Sequence, residues 1–157
     1  MIAMKTLRSA ILFLTGFLLI PALPAQTITD TLTYSRQEVM ISMRDGIKLY
    51  TVIFAPEDVK EPLPFLFLRT PYGVSKRPSP NRIAYISDMA QEGYIFVFQD
   101  IRGRYKSEGI FEMLRLMRDK KKAGAIDEST DTYDTIEWLL RNVSGNNGKI
   151  GMYGVSY

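Results

Sequence analysis

The chain has 157 residues, of which 46% are hydrophobic, and it carries 20 Lys and Arg against 17 Asp and Glu. These fractions are ordinary for a globular domain, which argues against a disordered chain, a collagen-like repeat or a coiled-coil rod. The sequence has no Cys, which excludes disulfides and thiolate chemistry within it. It has no His, which excludes imidazole as a base, an acid or a metal ligand.

The first 25 residues have the order of a signal peptide. Lys5 and Arg8 precede an apolar core that extends to Ile20, and small residues follow up to Ala25. This order predicts an exported protein, periplasmic or secreted, that is cleaved after Ala25 and keeps no stable membrane anchor. A retained anchor or a buried helix is the alternative. Lys5 and Arg8 supply two of the three positive charges by which Lys and Arg outnumber Asp and Glu in the sequence. The net charge of +3 is therefore mostly a property of this segment and does not indicate a nucleic-acid partner.

Residues 26–36 are read as a short polar arm, and residues 37–157 as one partial domain. Its first segments, 38–43 and 48–54, are rich in β-formers and flank the turn sequence Arg44-Asp45-Gly46. They predict an antiparallel hairpin.

Beyond the hairpin, strand and helix patterns alternate along the chain. Continuous apolar runs indicate covered strands, and apolar residues at helical spacing indicate helices. The predicted elements are a strand over 65–68, a helix over 83–91, a strand over 94–99, a helix over 127–143 and a strand over 149–153. This alternation predicts an α/β fold with a mainly parallel sheet and the antiparallel hairpin at one edge.

Two groups of charged residues follow strand or helix ends. We expect Asp100 and Arg102 to form a structural ion pair or hydrogen bonds that shape their loop. We expect Asp127, Glu128 and Asp131 to serve the helix dipole and backbone amides, with a metal site as the alternative.

The connection over residues 103–127 is long for a compact domain, which suggests a surface excursion used for substrate approach or subunit contact. The run of basic residues from Arg115 to Lys122 is read as a solvated loop. The apolar residues of the connection are compatible with a short helix; they are Met113, Leu114, Leu116 and Met117.

The last residues, Gly154-Val155-Ser156-Tyr157, directly follow a predicted strand. A serine after Gly-x in a sharp strand-to-helix turn is the beginning of the nucleophile elbow G-x-S-x-G, in which the hydroxyl is lifted clear of the sheet. An ordinary turn is the alternative interpretation of this triplet.

Separated segments resemble, in the same order, the amino-terminal part of the CocE/NonD hydrolases, which include cocaine esterase, α-amino acid ester hydrolases, glutaryl-cephalosporanic acid acylases and X-prolyl dipeptidyl peptidases. They are 38–50, Arg69-Thr70-Pro71-Tyr72, 99–103, 107–109, 127–128, 131–138 and 148–157. The stretch 98–103 and the acidic helix start are most similar to the α-amino acid ester hydrolases and their acylase relatives. The resemblance implies an α/β-hydrolase fold, truncated after the nucleophile strand.

The resemblance also implies roles for three residues. Ser156 matches the catalytic nucleophile, Tyr72 the tyrosine whose hydroxyl stabilises the oxyanion, and Tyr157 the residue whose backbone N–H is the second oxyanion donor. Without the resemblance, Tyr72 is read as a packed aromatic in a turn. The implied acyl-enzyme chemistry requires no organic cofactor and no metal.

The implied function is a serine hydrolase that cleaves acyl esters or amides, with small acyl esters, amides or short peptides as substrates and a homo-oligomer allowed for the full-length enzyme. The triad Asp and His would lie beyond Tyr157, so the chain is expected to be an inactive amino-terminal fragment. An X-prolyl dipeptidyl peptidase-type hydrolase is one alternative. A non-catalytic exported interaction module is another, if the chain is complete.

Overall fold

The computed structural model describes residues 32–156, so the predicted signal peptide over residues 1–25 and Tyr157 lie outside the described residues. The elements in chain order are β1 (Tyr34–Ser42), β2 (Lys48–Pro56), β3 (Leu63–Thr70), a 3-10 turn (Pro80–Arg82), α1 (Ser87–Glu92), β4 (Ile95–Asp100), α2 (Glu128–Asn142) and β5 (Asn146–Met152).

The strands form one five-stranded sheet in the order β1-β2-β4-β3-β5. β1 pairs with β2 and β2 with β4 in antiparallel fashion, whereas β3 pairs in parallel with both β4 and β5. The predicted α/β class and the hairpin at one edge are confirmed, in a sheet that is mixed.

The two faces of the sheet are covered by different helices, which explains the apolar runs of the inner strands. Phe96 and Phe98 of β4 belong to the cluster that includes Ala90 of α1. Ile95 and Val97 alternate to the opposite face, where they share a cluster with Leu139 of α2. The prediction that the run Phe65-Leu66-Phe67-Leu68 is covered on both faces is confirmed, since all four residues of this part of β3 are buried. Every residue of the neighbouring β4 is buried as well.

The largest differences between predicted and observed element bounds are found in β1, β5 and the first helix. β1 begins at Tyr34, four residues before the predicted start, because backbone pairing with β2 continues through exposed polar residues that give no apolar alternation. β5 begins at Asn146, three residues early. The first helix is shorter than predicted and begins at Ser87, although it ends as expected before Gly93, whose φ is 85°.

The prediction of a short helix near Met113 is wrong. Leu114 has a φ of 53°, and this left-handed backbone interrupts any right-handed helical turn. The segment is instead turn and irregular structure. Among residues 32–156, no helix reaches the length and apolarity that crossing a membrane requires.

Asp127 begins α2 as the predicted helix-start acid. Its Oδ1 accepts the Thr130 N–H at 2.8 Å, and the Thr130 hydroxyl oxygen accepts the Asp127 N–H at 3.0 Å, which completes a reciprocal cap. Burial raises the pKa of Asp127, but hydrogen bonds from Arg118 N–H, Ser129 and Thr130 outweigh it and hold that pKa at about 2.

Candidate active site

Tyr72 and Ser156 meet at one edge of the sheet although 84 positions separate them. Tyr72 follows the end of β3, and Ser156 follows the end of β5, its parallel neighbour. The carboxyl ends of parallel neighbours open at the same edge. The Tyr72 hydroxyl donates to Ser156 Oγ at 3.3 Å. The structure therefore brings together two of the three predicted site residues, and the third, Tyr157, lies outside the described residues.

Ser156 has the backbone of a sharp bend. Its φ is 69°, in the left-handed region that residues with a side chain seldom adopt. A nucleophile elbow holds its serine in such a strained strand-to-helix turn, with the hydroxyl exposed above the sheet. Ser156 is exposed here, so its hydroxyl is accessible to a substrate.

The loop that carries Tyr72 is fixed by its backbone while the ring projects outward. The Tyr72 N–H donates to Thr70 Oγ1 at 3.2 Å, and the Val74 N–H donates to Asp100 Oδ1 at 2.9 Å. Tyr72 is 56% exposed. Among residues 32–156, no packing buries Tyr72.

Asp100 bonds to backbone amides of two loops. Besides Val74, the Lys106 N–H donates to its second carboxylate oxygen at 3.3 Å, and the residue is fully buried. Burial raises the pKa of Asp100, against the opposing effect of these two backbone hydrogen bonds. The predicted loop-shaping hydrogen bonds are confirmed, but the predicted ion pair between Asp100 and Arg102 is not formed.

Arg102 pairs instead with Asp131 of α2. Its Nε donates to Oδ2 at 3.0 Å and its Nη2 to Oδ1 at 2.6 Å, with both side chains almost fully buried. A third partner, Asp45 in the hairpin turn, accepts from Nη1 at 2.7 Å. Asp131 lies in the first turn of α2, as predicted, and its carboxylate is in addition the counter-ion of a buried guanidinium.

Arg69 adds a second buried guanidinium at the end of β3. It donates to Gln99 Oε1 at 3.0 Å and to Thr132 Oγ1 at 2.8 Å, and it pairs with the Glu128 carboxylate at 3.0 Å. Burial lowers the pKa of Arg69, opposed by the charges of Glu128 and Asp131. No local sequence pattern reveals these partners, because they come from separate elements.

An open cleft of about 480 Å³ is lined by Ser156 together with Leu114, Arg115 and Glu128. The long connection between β4 and α2 therefore reaches the candidate site. The sequence did not predict which residues of this connection lie there. Its apolar residues are largely exposed: Ile110 81%, Met113 68%, Leu114 78%, Leu116 84% and Met117 90%.

Within residues 32–156, no group of three or more acidic side chains is placed to hold a metal ion.

This chain is similar to known proteins in both sequence and fold. Residues 45–157 match the family described as X-Pro dipeptidyl-peptidase (S15 family). Cocaine esterase of Rhodococcus sp. (strain MB1 Bresler) is 34% identical over 124 residues, which are 76% of this chain and 19% of that protein. The chain thus spans about a fifth of the curated relative that it matches.

Solved structures show the same similarity. An aminopeptidase from a marine sediment Thaumarchaeota archaeon superposes with a TM-score of 0.70 at 38% identity, covering 82% of this chain and 22% of that chain. An α-amino acid ester hydrolase superposes with a TM-score of 0.69 at 40% identity, covering 85% of this chain and 24% of that chain. Since the family match covers most of the sequence, the chain belongs to the X-Pro dipeptidyl-peptidase (S15) family of CocE/NonD hydrolases.

Proposed function

We propose that this chain supplies the nucleophile and oxyanion side of a serine hydrolase that cleaves acyl esters or amides through an acyl-enzyme intermediate. The observation that carries the proposal is the Tyr72 hydroxyl at 3.3 Å from Ser156 Oγ, with Ser156 on a left-handed bend after β5. A phenol at this distance can turn from the resting serine to the oxygen of a carbonyl under attack by that serine.

In the proposed reaction, Ser156 Oγ attacks the substrate carbonyl carbon and its proton passes to a base. Negative charge develops on the carbonyl oxygen, where the Tyr72 hydroxyl and the Tyr157 backbone N–H donate hydrogen bonds. On collapse the bond to the leaving group breaks, the base returns the proton to it, and it departs as the alcohol or amine; the acyl-serine that remains is then hydrolysed by water. This division replaces one difficult displacement with two easier ones.

The histidine base is not supplied by this sequence, which has no His, and in this fold the orienting carboxylate follows the serine along the chain. We place them in further residues of a longer enzyme, in the order Ser, then Asp, then His that this fold uses. The coverage of about a fifth of the curated relative agrees with that arrangement. The 157 residues alone are then inactive, and the leading segment directs export to the periplasm or the medium.

The substrate is proposed to be a small acyl ester or amide. A dipeptidyl peptidase or aminopeptidase activity is the second candidate, favoured by the family description and by the 38% identity to the archaeal aminopeptidase. Kinetics with p-nitrophenyl acyl esters and with dipeptidyl-p-nitroanilides distinguish the two candidates.

Ser156→Ala in the full-length protein tests the nucleophile, with Ser144→Ala, another exposed serine, as the matched control. We expect labelling by a fluorophosphonate probe and ester turnover to vanish in Ser156→Ala and to persist in Ser144→Ala. Turnover that survives in Ser156→Ala at the wild-type rate refutes the proposed function.

A further inference from the structure

The peptide bond that leads into Tyr72 is held by an arginine from a distant loop. Arg104 Nε donates to the Pro71 carbonyl oxygen at 3.1 Å, across 33 positions of sequence. That carbonyl belongs to the same peptide plane as the Tyr72 N–H, which donates to Thr70 Oγ1 at 3.2 Å. Both polar groups of this plane are therefore bonded, and because a peptide is rigid, its orientation fixes where the Tyr72 side chain starts.

The Arg104 guanidinium lies against two aromatic rings. Its Cζ is 5.4 Å from the centre of the Tyr105 ring and 5.1 Å from the centre of the Phe111 ring. These contacts attract the cation and restrict its rotation, since a planar guanidinium stacks on aromatic faces as an ammonium does not. The donor to Pro71 is thus held in place before any substrate binds.

A second contact restrains the other side of Tyr72. The Tyr105 ring covers Gly73 so closely that a Cβ on Gly73 would lie 2.9 Å from Tyr105 Cε1. Tyr105 itself has a φ of 47° and is 65% exposed. Burial of apolar surface does not account for a strained, exposed tyrosine in this position, whereas restraint of the neighbouring loop does.

These contacts matter because the Tyr72 ring receives little packing of its own. Because Tyr72 is 56% exposed, the direction of its ring depends on the backbone of the loop. The distance from its hydroxyl to Ser156 Oγ is set through the same backbone. A displacement of about 1 Å at a catalytic group costs on the order of a hundredfold in rate.

We propose that Arg104 is a positioning residue of the hydrolase, which holds the Pro71–Tyr72 peptide through its aromatic contacts so that the Tyr72 hydroxyl points at the oxyanion. The inference rests on the proposed function, because it assigns Arg104 a role only through Tyr72. It predicts an effect on turnover that disappears when the Tyr72 hydroxyl is absent.

The test is a double-mutant cycle in the full-length protein, with kcat and KM measured on a p-nitrophenyl ester. We expect Arg104→Ala to lower kcat by about ten- to a hundredfold with little change in KM. We expect Arg104→Lys to recover only part of the loss, because an ammonium has neither the planar stacking nor the Nε donor. In a Tyr72→Phe background, Arg104→Ala should lower kcat by no more than about twofold.

Two further variants separate positioning from general damage. Phe111→Leu removes one stacking face but keeps an apolar side chain, and it should lower kcat in the same direction as Arg104→Ala. Arg141→Ala, on an exposed arginine of α2, should leave kcat unchanged. A full, additive loss in the Tyr72→Phe background, or wild-type kcat in Arg104→Ala, overturns the inference.

The cycle also distinguishes failure of this inference from failure of the proposed function. If Ser156→Ala is inactive while Arg104→Ala turns over at the wild-type rate, only the positioning role is refuted. If Ser156→Ala retains turnover, the proposed function is refuted, and the role of Arg104 falls with it.

Discussion

Replacing Tyr72 with Phe removes one hydroxyl from the candidate site and leaves the ring in place. As one of two proposed oxyanion donors, that hydroxyl should contribute about 100- to 1000-fold to kcat, or about 2.7–4 kcal/mol of transition-state stabilisation. Its contribution to folding should be far smaller. Tyr72 is 56% exposed, and the contact of its hydroxyl with Ser156 Oγ, at 3.3 Å, is longer than the usual O–H···O hydrogen bond. We expect a change in unfolding free energy of less than about 1 kcal/mol.

The assay is steady-state hydrolysis of a p-nitrophenyl ester by the full-length protein, combined with thermal unfolding of each variant. Tyr133→Phe is the matched control, because Tyr133 is 57% exposed but lies on α2. The control should keep wild-type kcat. If Tyr72→Phe keeps wild-type kcat, or if its loss of turnover is matched by a comparable loss of stability, the reasoning from the 3.3 Å contact is refuted.

Two predictions concern stability. Because the folded-state pKa of Asp127, about 2, lies below its unfolded value of about 3.9, its carboxylate stabilises the fold above about pH 4 and loses that effect as the pH falls through about 2. Asp127→Asn should therefore lower the urea midpoint of the chain at pH 6 by more than at pH 2.5; a pH-independent difference would contradict this. Gly103→Ala should prevent the loop from adopting its fold, since the new Cβ would lie 2.0 Å from Phe111 N. Gly124 has a similar φ but open space around it, so Gly124→Ala should lower the free energy of unfolding by only about 1–2 kcal/mol. Equal falls in melting temperature would refute the steric argument.

The sequence predicted the sheet because its signals are local. Apolar alternation and the Arg44-Asp45-Gly46 turn identify the hairpin, and the continuous apolar runs identify the inner strands. The helix predicted around Leu114 is wrong because the composition of the segment suits a helix while its backbone is left-handed at that residue. Composition does not report a single φ angle.

The candidate site was predictable to different depths. Ser156 and Tyr72 each belong to a short motif, so the sequence could propose them before their 3.3 Å contact was seen. Arg104 has no such motif, since its partner is a backbone carbonyl 33 residues away and its neighbouring rings are ordinary aromatics in the sequence. The partner of Arg102 was misassigned for the same reason, because the nearer Asp100 is turned toward backbone amides and the distant Asp131 takes the charge.

The strand order β1-β2-β4-β3-β5 has a consequence for synthesis of the chain. β4 occupies the space between β2 and β3, yet it leaves the ribosome after both of them. Until residues 95–100 emerge, β3, which carries the buried run Phe65-Leu66-Phe67-Leu68, lacks the neighbour that joins it to the hairpin. Its unpaired amides and apolar side chains are then open to other chains. The nascent protein thus passes through an interval of aggregation risk, in which a holding chaperone would protect this segment.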